Sequence, residues 1–324
     1  MPDFPVSLND MQAAASRLAG IVHPTPLLEN LDVNRMLGGR LLLKAENLQR
    51  TGAFKFRGAY HRMMHLTEAQ RALGVVTYSS GNHALGVARA AQLLGTTALI
   101  VMPSDVPTAK RAAVLALGAR ITTFDRETED SARVVAQLVA QTGRTEVPPS
   151  AHPQVLAGAG TVAVELLNNA PELDAVVTPC GGGGLTAATG IAMAQASHAT
   201  QVFAAEPALF DDTRRSLLDG QRVPNPKGRK TICDAIMTPI PGEMTFEINR
   251  HTLTGGVTAT DAEVRDAMRF AYDHFHIVTE PGAVVGLAAI LQGRVPLQGR
   301  NVATVITGGN IAADRFASLL EDHT

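Results

Sequence analysis

The chain has 324 residues, 45% hydrophobic and 18% charged, with a formal net charge of −2. That is enough apolar material for one large or two medium domains. The near-neutral balance and the absence of Trp exclude a phosphate-tracking, base-stacking nucleic-acid surface, and no apolar run approaches the roughly 20 residues of a membrane helix.

The opening MPDFPVSLND lacks the basic and apolar regions of a signal peptide, so a cytoplasmic location and a small-molecule partner are expected. LLLKAEN, Leu41 to Asn47, reads as a buried strand. TGAFKFRGAY, Thr51 to Tyr60, follows, with Lys55 between Phe54 and Phe56 and glycines at 52 and 58. An unpaired buried ammonium is costly, so a lysine in this setting suits chemistry in which it is not an ammonium. GVVTYSS (Gly74 to Ser80), TALIVMP (Thr97 to Pro103) and ARITTF (Ala119 to Phe124) are further strands. Helices are expected over His83 to Gly95, Pro107 to Gly118 and Asp130 to Gly143, the second with proline at its start and glycine at its end. EVPPSAHP, Glu146 to Pro153, carries three prolines and reads as a connection between domains. AVVTPC (Ala175 to Cys180), QVFAAEP (Gln201 to Pro207) and VATVITG (Val302 to Gly308) complete the strands, and GAVVGLAAIL (Gly282 to Leu291) fits a buried helix. Cys180 and Cys233 have no metal-ligand spacing and read as reduced buried thiols.

Strands alternating with helices imply an α/β protein with parallel sheets, in which ligands bind at the carboxyl ends of strands. Four strand-to-helix turns carry polar groups there. SSGNH, Ser79 to His83, offers hydroxyls, an amide and an imidazole beside unpaired helix N–H groups, a setting for a carboxylate or phosphate; the same residues also serve as plain helix caps. Gly181, Gly182, Gly183 and Gly184 let the backbone wrap an anion, or form a flexible loop. TGGN, Thr307 to Asn310, permits close approach to a flat ring, or caps a helix. In AAEPALFDD, Ala204 to Asp212, the carboxylates of Glu206 and Asp212 suit Mg²⁺, Mn²⁺ or Ca²⁺, or simply face solvent. A rival pattern runs through Gly182, Gly184 and Ala187, which match G-x-G-x-x-A, with Glu206 where a ribose-binding acid would sit. That NAD-binding oxidoreductase reading leaves Lys55 and SSGNH without a role.

Taken in order, TGAFKFRGAY, SSGNH, GGGGL, AEPxxxDD, EPGA (Glu280 to Ala283) and TGGN resemble the pyridoxal-phosphate enzymes of fold type II, nearest the threonine/serine dehydratases and serine racemases. The resemblance runs from HPTPL (His23 to Leu27) to TGGN. It implies two doubly wound open-sheet domains with the cofactor in the cleft between them. Residues 74–147 would form the small domain, and residues 1–73 with 148–324 the large one.

The resemblance implies that Lys55 is joined to pyridoxal phosphate as an imine and is the catalytic base. Phe54 would lie near the ring, Asn82 at the ring hydroxyl, and Thr307 at the pyridine nitrogen. Gly181, Gly182, Gly183, Gly184 and Leu185 would hold the phosphate. Ser79, Ser80, Gly81, Asn82 and His83 would bind substrate. Ser80, on the ring face opposite Lys55, would be the second catalytic residue and would support racemisation. Glu206, the carbonyl of Phe210 and Asp212 would hold a divalent cation. The implied reaction is β-elimination of L-threonine, L-serine or a 3-hydroxyaspartate to a 2-oxo acid and ammonia, by a homodimer. The chain departs from the pattern at Ser150 and Ala151, where relatives carry larger polar side chains, and in GAGT (Gly158 to Thr161), where they carry GQGT. An arginine of relatives aligns with Ala132, one place from Arg133, so substrate identity stays open.

Overall fold

The computed structural model describes residues 2–125, 128–196 and 199–321. Its strands are β1 (Leu27–Glu29), β2 (Arg40–Ala45), β3 (Val75–Tyr78), β4 (Ala98–Pro103), β5 (Arg120–Phe124), β6 (Thr145–Glu146), β7 (Ala175–Pro179), β8 (Gln201–Pro207), β9 (Gly255–Ala259) and β10 (Asn301–Ile306). They form a six-stranded sheet in the order β1-β2-β10-β7-β8-β9 and a four-stranded sheet in the order β5-β4-β3-β6. β1 runs antiparallel to β2, and β2, β10, β7, β8 and β9 pair in parallel, as do all neighbours of the smaller sheet.

Side chains alternate faces along a strand, so each sheet feeds two cores. Leu41, Leu43, Ala175 and Val177 pack with the helices Asp261–Phe275 and Val285–Leu291 on one face of the larger sheet. Leu42, Val176 and Val305 pack with Leu8–Leu18, Pro153–Asn169 and Gly184–Ala196 on the other. Covering on both faces explains why β7 and β10 read as continuous apolar runs. In the smaller sheet Val75, Ile100 and Met102 face the helix Asn82–Leu93, while Val76, Val101 and Phe124 face the helix Ser131–Thr142.

The helix Lys55–Met64 lies outside the 74–147 stretch, yet Phe56, Ala59, Tyr60 and Met63 share the smaller sheet's core. Its other side rests on the helix Pro153–Asn169. A side chain at Gly58 would lie 2.8 Å from the Val155 carbonyl, one at Gly158 would lie 2.6 Å from that of Arg57, and one at Gly86 would meet the Lys55 backbone at 3.2 Å. Three glycines therefore let the lysine-bearing helix sit wedged between two others. No helix among the described residues is long and apolar enough to cross a membrane. Cys180 and Cys233 are buried and free.

Candidate active site

TGAFK and TGGN, far apart in sequence, are laced together by backbone. Thr51 and Gly52 turn the chain with positive φ of 63° and 70°. Ala53 then bridges Gly308, Phe54 N–H donates to Thr307 O at 3.1 Å, and Gly309 N–H donates to Gly52 O at 2.9 Å. The Asn310 amide donates to Thr51 O at 2.7 Å and to Asn82 Oδ1 at 2.8 Å, which ties SSGNH to the same junction.

Lys55 is the first residue of its helix. Its Nζ donates to Pro149 O at 2.8 Å and stands 5.1 Å from the centre of the Phe54 ring. The side chain keeps part of its surface open to the cleft, but the protein packed around it pulls the ammonium down to about 8. An amine so placed exchanges its proton near neutral pH, as a lysine base requires. Phe54, Lys55, Gly58, Ser150, Gly184 and Leu185 line one small cleft.

The glycine run joins β7 to the helix Gly184–Ala196, and Gly183 has φ +80°. Side chains have no room here. One at Gly181 would meet Ile236 at 3.1 Å, one at Gly182 would meet Ser150 Oγ at 2.9 Å, one at Gly183 would meet Thr245 and Asn249 at 3.0 Å, and one at Gly184 would meet Ser150 Cβ at 2.9 Å. Thr245 Oγ1 donates to Gly182 O at 2.8 Å and fixes the loop from outside. A bare-backbone cradle ending on a helix N-terminus fits a phosphate. With Lys55 on the same cleft, the residues fit pyridoxal phosphate.

In SSGNH, Gly81 N–H donates to Ser79 Oγ at 3.2 Å, and Ser79, Ser80 and Gly81 stay half-buried at the head of the helix Asn82–Leu93. Asn82 donates to Glu280 Oε1 at 2.5 Å. His83 is buried, and its Nε2–H donates to Val147 O at 2.9 Å. Burial first, then the nearby Lys55 charge, pushes its imidazole down to about 3. It is neutral and anchors the smaller sheet's end; its place in the substrate-binding set rests on the resemblance alone. Thr307, 6% exposed, follows β10 beside Gly308, where a side chain would lie 2.3 Å from Glu280 Oε1. Glu280 is the residue whose part sequence reasoning missed. Its signal was a carboxylate in EPGA opening an otherwise apolar run.

The acidic group at the end of β8 is a separate site. Glu206 accepts from Thr213 N–H at 2.8 Å and Arg214 N–H at 2.7 Å; Asp212 accepts from the Asn225 amide at 2.6 Å. Phe210 N–H closes the intervening turn onto Pro207 O. Burial, and for Glu206 also the Asp212 charge, raises the two carboxyls to about 8 and about 6. No ion pair neutralises either among the described residues, nor do three or more His, Cys, Asp or Glu gather there. Two buried carboxyls that repel each other suit a cation.

The chain matches the family "Pyridoxal-phosphate dependent enzyme" over residues 18–308. It is 41% identical to L-threo-3-hydroxyaspartate ammonia-lyase of Pseudomonas sp over 97% of this chain and 98% of that protein. It is 36% identical to L-threonine ammonia-lyase of Thermotoga maritima over 94% of this chain and 76% of that one. The crystal structure of serine racemase from Dictyostelium discoideum superposes with a TM-score of 0.89 and 36% identity, covering 95% of this chain and 99% of the other. The match over most of its length and the shared fold show that the chain belongs to the pyridoxal-phosphate dependent enzymes, fold type II.

Proposed function

We propose that this chain is an ammonia-lyase that eliminates the β-hydroxyl of a hydroxy amino acid, leaving a 2-oxo acid and ammonia. The name of the Pseudomonas relative puts a 3-hydroxyaspartate first, ahead of L-threonine and L-serine. The observation that carries the reading is Lys55: an amine held near a pKa of 8, facing the same cleft as the glycine cradle.

Bound pyridoxal phosphate supplies the electron withdrawal that makes the α-proton of an amino acid removable. The rest is assigned to this chain's own groups. Gly181 to Gly184 with Leu185 hold the phosphate, Phe54 borders the ring, and Asn82 meets the ring hydroxyl. Thr307 offers a neutral hydroxyl to the pyridine nitrogen. Ser79, Gly81 N–H and Asn82 take the substrate carboxylate, and His83 buttresses their turn. Lys55 Nζ receives the α-proton. Movement of the smaller sheet, residues 74–147, against the rest would close the cleft and exclude water.

Ser80, half-buried in the same turn, supports a second activity. A hydroxyl on the face opposite Lys55 would return a proton there and give racemisation, as the serine racemase likeness suggests. Glu206, Asp212 and the Phe210 carbonyl are proposed to hold Mg²⁺, Mn²⁺ or Ca²⁺, whose charge would relieve the two buried carboxyls. A homodimer is proposed on the resemblance alone.

The test is 2-oxo acid release by cofactor-loaded protein offered L-serine, L-threonine, their D-forms and the 3-hydroxyaspartates in parallel. Release from one or more supports the lyase. No release from any, with the lysine-bound cofactor's visible band intact, would overturn it.

A further inference from the structure

Ser150 sits in the proline-rich connection, Glu146 to Pro153. It is 8% exposed, and its hydroxyl takes no partner among the described residues. That hydroxyl points at the glycine run: Oγ lies 2.9 Å from where a Gly182 Cβ would be, and its Cβ lies 2.9 Å from the same point on Gly184. Ser150 also lines the cleft that holds Lys55, Gly184 and Leu185. The hydroxyl opens onto the cleft with its donor unused by the protein, so it is free to donate to a ligand bound there.

We infer that the Ser150 hydroxyl is an additional ligand for the cofactor phosphate, donating to one of its oxygens from the side of the cradle opposite Thr245. The backbone N–H groups of the glycine run supply direction, and Ser150 closes the cradle with a side-chain donor. This rests on the reading of Gly181 to Gly184 as the phosphate site.

The test compares pyridoxal phosphate with pyridoxal, which lacks the phosphate but has the same aldehyde for Lys55. Both dissociation constants are measured by visible absorbance on wild type and Ser150→Ala, and the phosphorus resonance of the bound phosphate is recorded. A hydrogen bond to a charged group predicts that Ser150→Ala weakens pyridoxal phosphate about tenfold or more. Pyridoxal affinity should stay unchanged and the phosphorus resonance should move. Equal loss for both compounds would show that Ser150 only shapes the cleft and would overturn the inference. Unchanged affinity for both would overturn it as well. If wild type itself fails to prefer pyridoxal phosphate over pyridoxal, the glycine run is not the phosphate site and the Ser150 assignment falls with it.

Discussion

Asn82 and Glu280 meet across the cleft: the Asn82 amide, at the head of a helix on the smaller sheet, donates to the carboxyl of Glu280 beside the larger sheet's last strand. Glu280 is 6% exposed and no ion pair neutralises it among the described residues. Gly308 leaves room for the contact, since a side chain there would strike the carboxyl. The residue placed at the ring hydroxyl is therefore held by a buried acid.

That acid gives stability a pH dependence. Burial raises Glu280 from its ordinary 4.5 to about 7, against the opposing pull of the Asn82 hydrogen bond. Between those values the native protein holds a proton that the unfolded chain has lost, so stability falls as pH rises. Glu280→Gln keeps an acceptor for Asn82 and removes the titration. We expect it to flatten the loss of stability between pH 4.5 and 7 by up to roughly 3 kcal/mol. Parallel urea melts of both proteins, cofactor-free, check this; identical slopes would place the titration elsewhere.

Lys55→Ala should lower turnover about a thousandfold or more, the upper range for removing a positioned acid–base group. With an amine near 8, the rate of α-proton removal in the native enzyme should rise with pH up to about 8 and then level. A deuterated α-carbon distinguishes that step from product release. A flat profile from pH 6 to 9 with a full isotope effect would remove Lys55 from the role of base.

Ser80→Ala should spare elimination and reduce racemisation, because elimination needs the Lys55 face alone. Chiral analysis of recovered substrate, alongside 2-oxo acid release, gives both rates from one incubation. Equal loss of both would make Ser80 a shaping residue.

Much of this was legible in the chain. The strands β2, β3, β4, β5, β7, β8 and β10 coincide with the runs rich in Val, Ile, Leu and Thr, because strands buried on both faces have no polar side to disguise them. β9 was not, since GGVTA opens on two glycines and holds no continuous apolar run, and β1 and β6 are too short to carry a pattern. β2 also stops at Ala45, short of the expected Asn47, where Glu46 to Leu48 tighten into a 3₁₀ turn. Within the site, Lys55 and the glycine run announce themselves by residue type. Glu280 and Ser150 do not: a glutamate and a serine gain meaning only once the fold brings Asn82 to one and Gly182 to the other.

The carboxyls of Glu206 and Asp212 predict a response to chelation. Both are raised by burial, so each disfavours its charged form in the absence of a cation. A divalent ion that binds only the folded state stabilises it by about 2.7 kcal/mol at a hundredfold excess over its dissociation constant. EDTA should therefore lower the melting temperature, and added Mg²⁺ or Ca²⁺ should restore it. Asp212→Asn should abolish the response. A melting temperature indifferent to chelator and to added ion would end the metal proposal.

A buried charge cluster lies next to the lysine in the chain. Arg57, two residues after Lys55, is 0% exposed. It donates to Glu46 through Nε and Nη2, both at 2.8 Å, and to Glu165 through Nη1 at 2.6 Å and Nη2 at 3.1 Å. Lys44, also fully buried, donates to Glu165 at 2.5 Å and to Thr25 O at 2.6 Å. Two cations face two carboxylates, and the group joins β2, the lysine-bearing helix and the helix Pro153–Asn169. Burial opposes the guanidinium charge, but the carboxylates outweigh it and hold Arg57 well above its ordinary range. Removing one partner strands a buried charge, which typically costs 3–5 kcal/mol, whereas a matched apolar replacement of the group is often neutral. Glu46→Gln should therefore destabilise by about 3–5 kcal/mol. The double variant Glu46→Gln with Arg57→Met should recover part of that loss, because the stranded charge is gone. Denaturant melts of the single and double variants read this directly. If the double variant is as unstable as the sum of both singles, the ion group is contributing packing rather than paired charge.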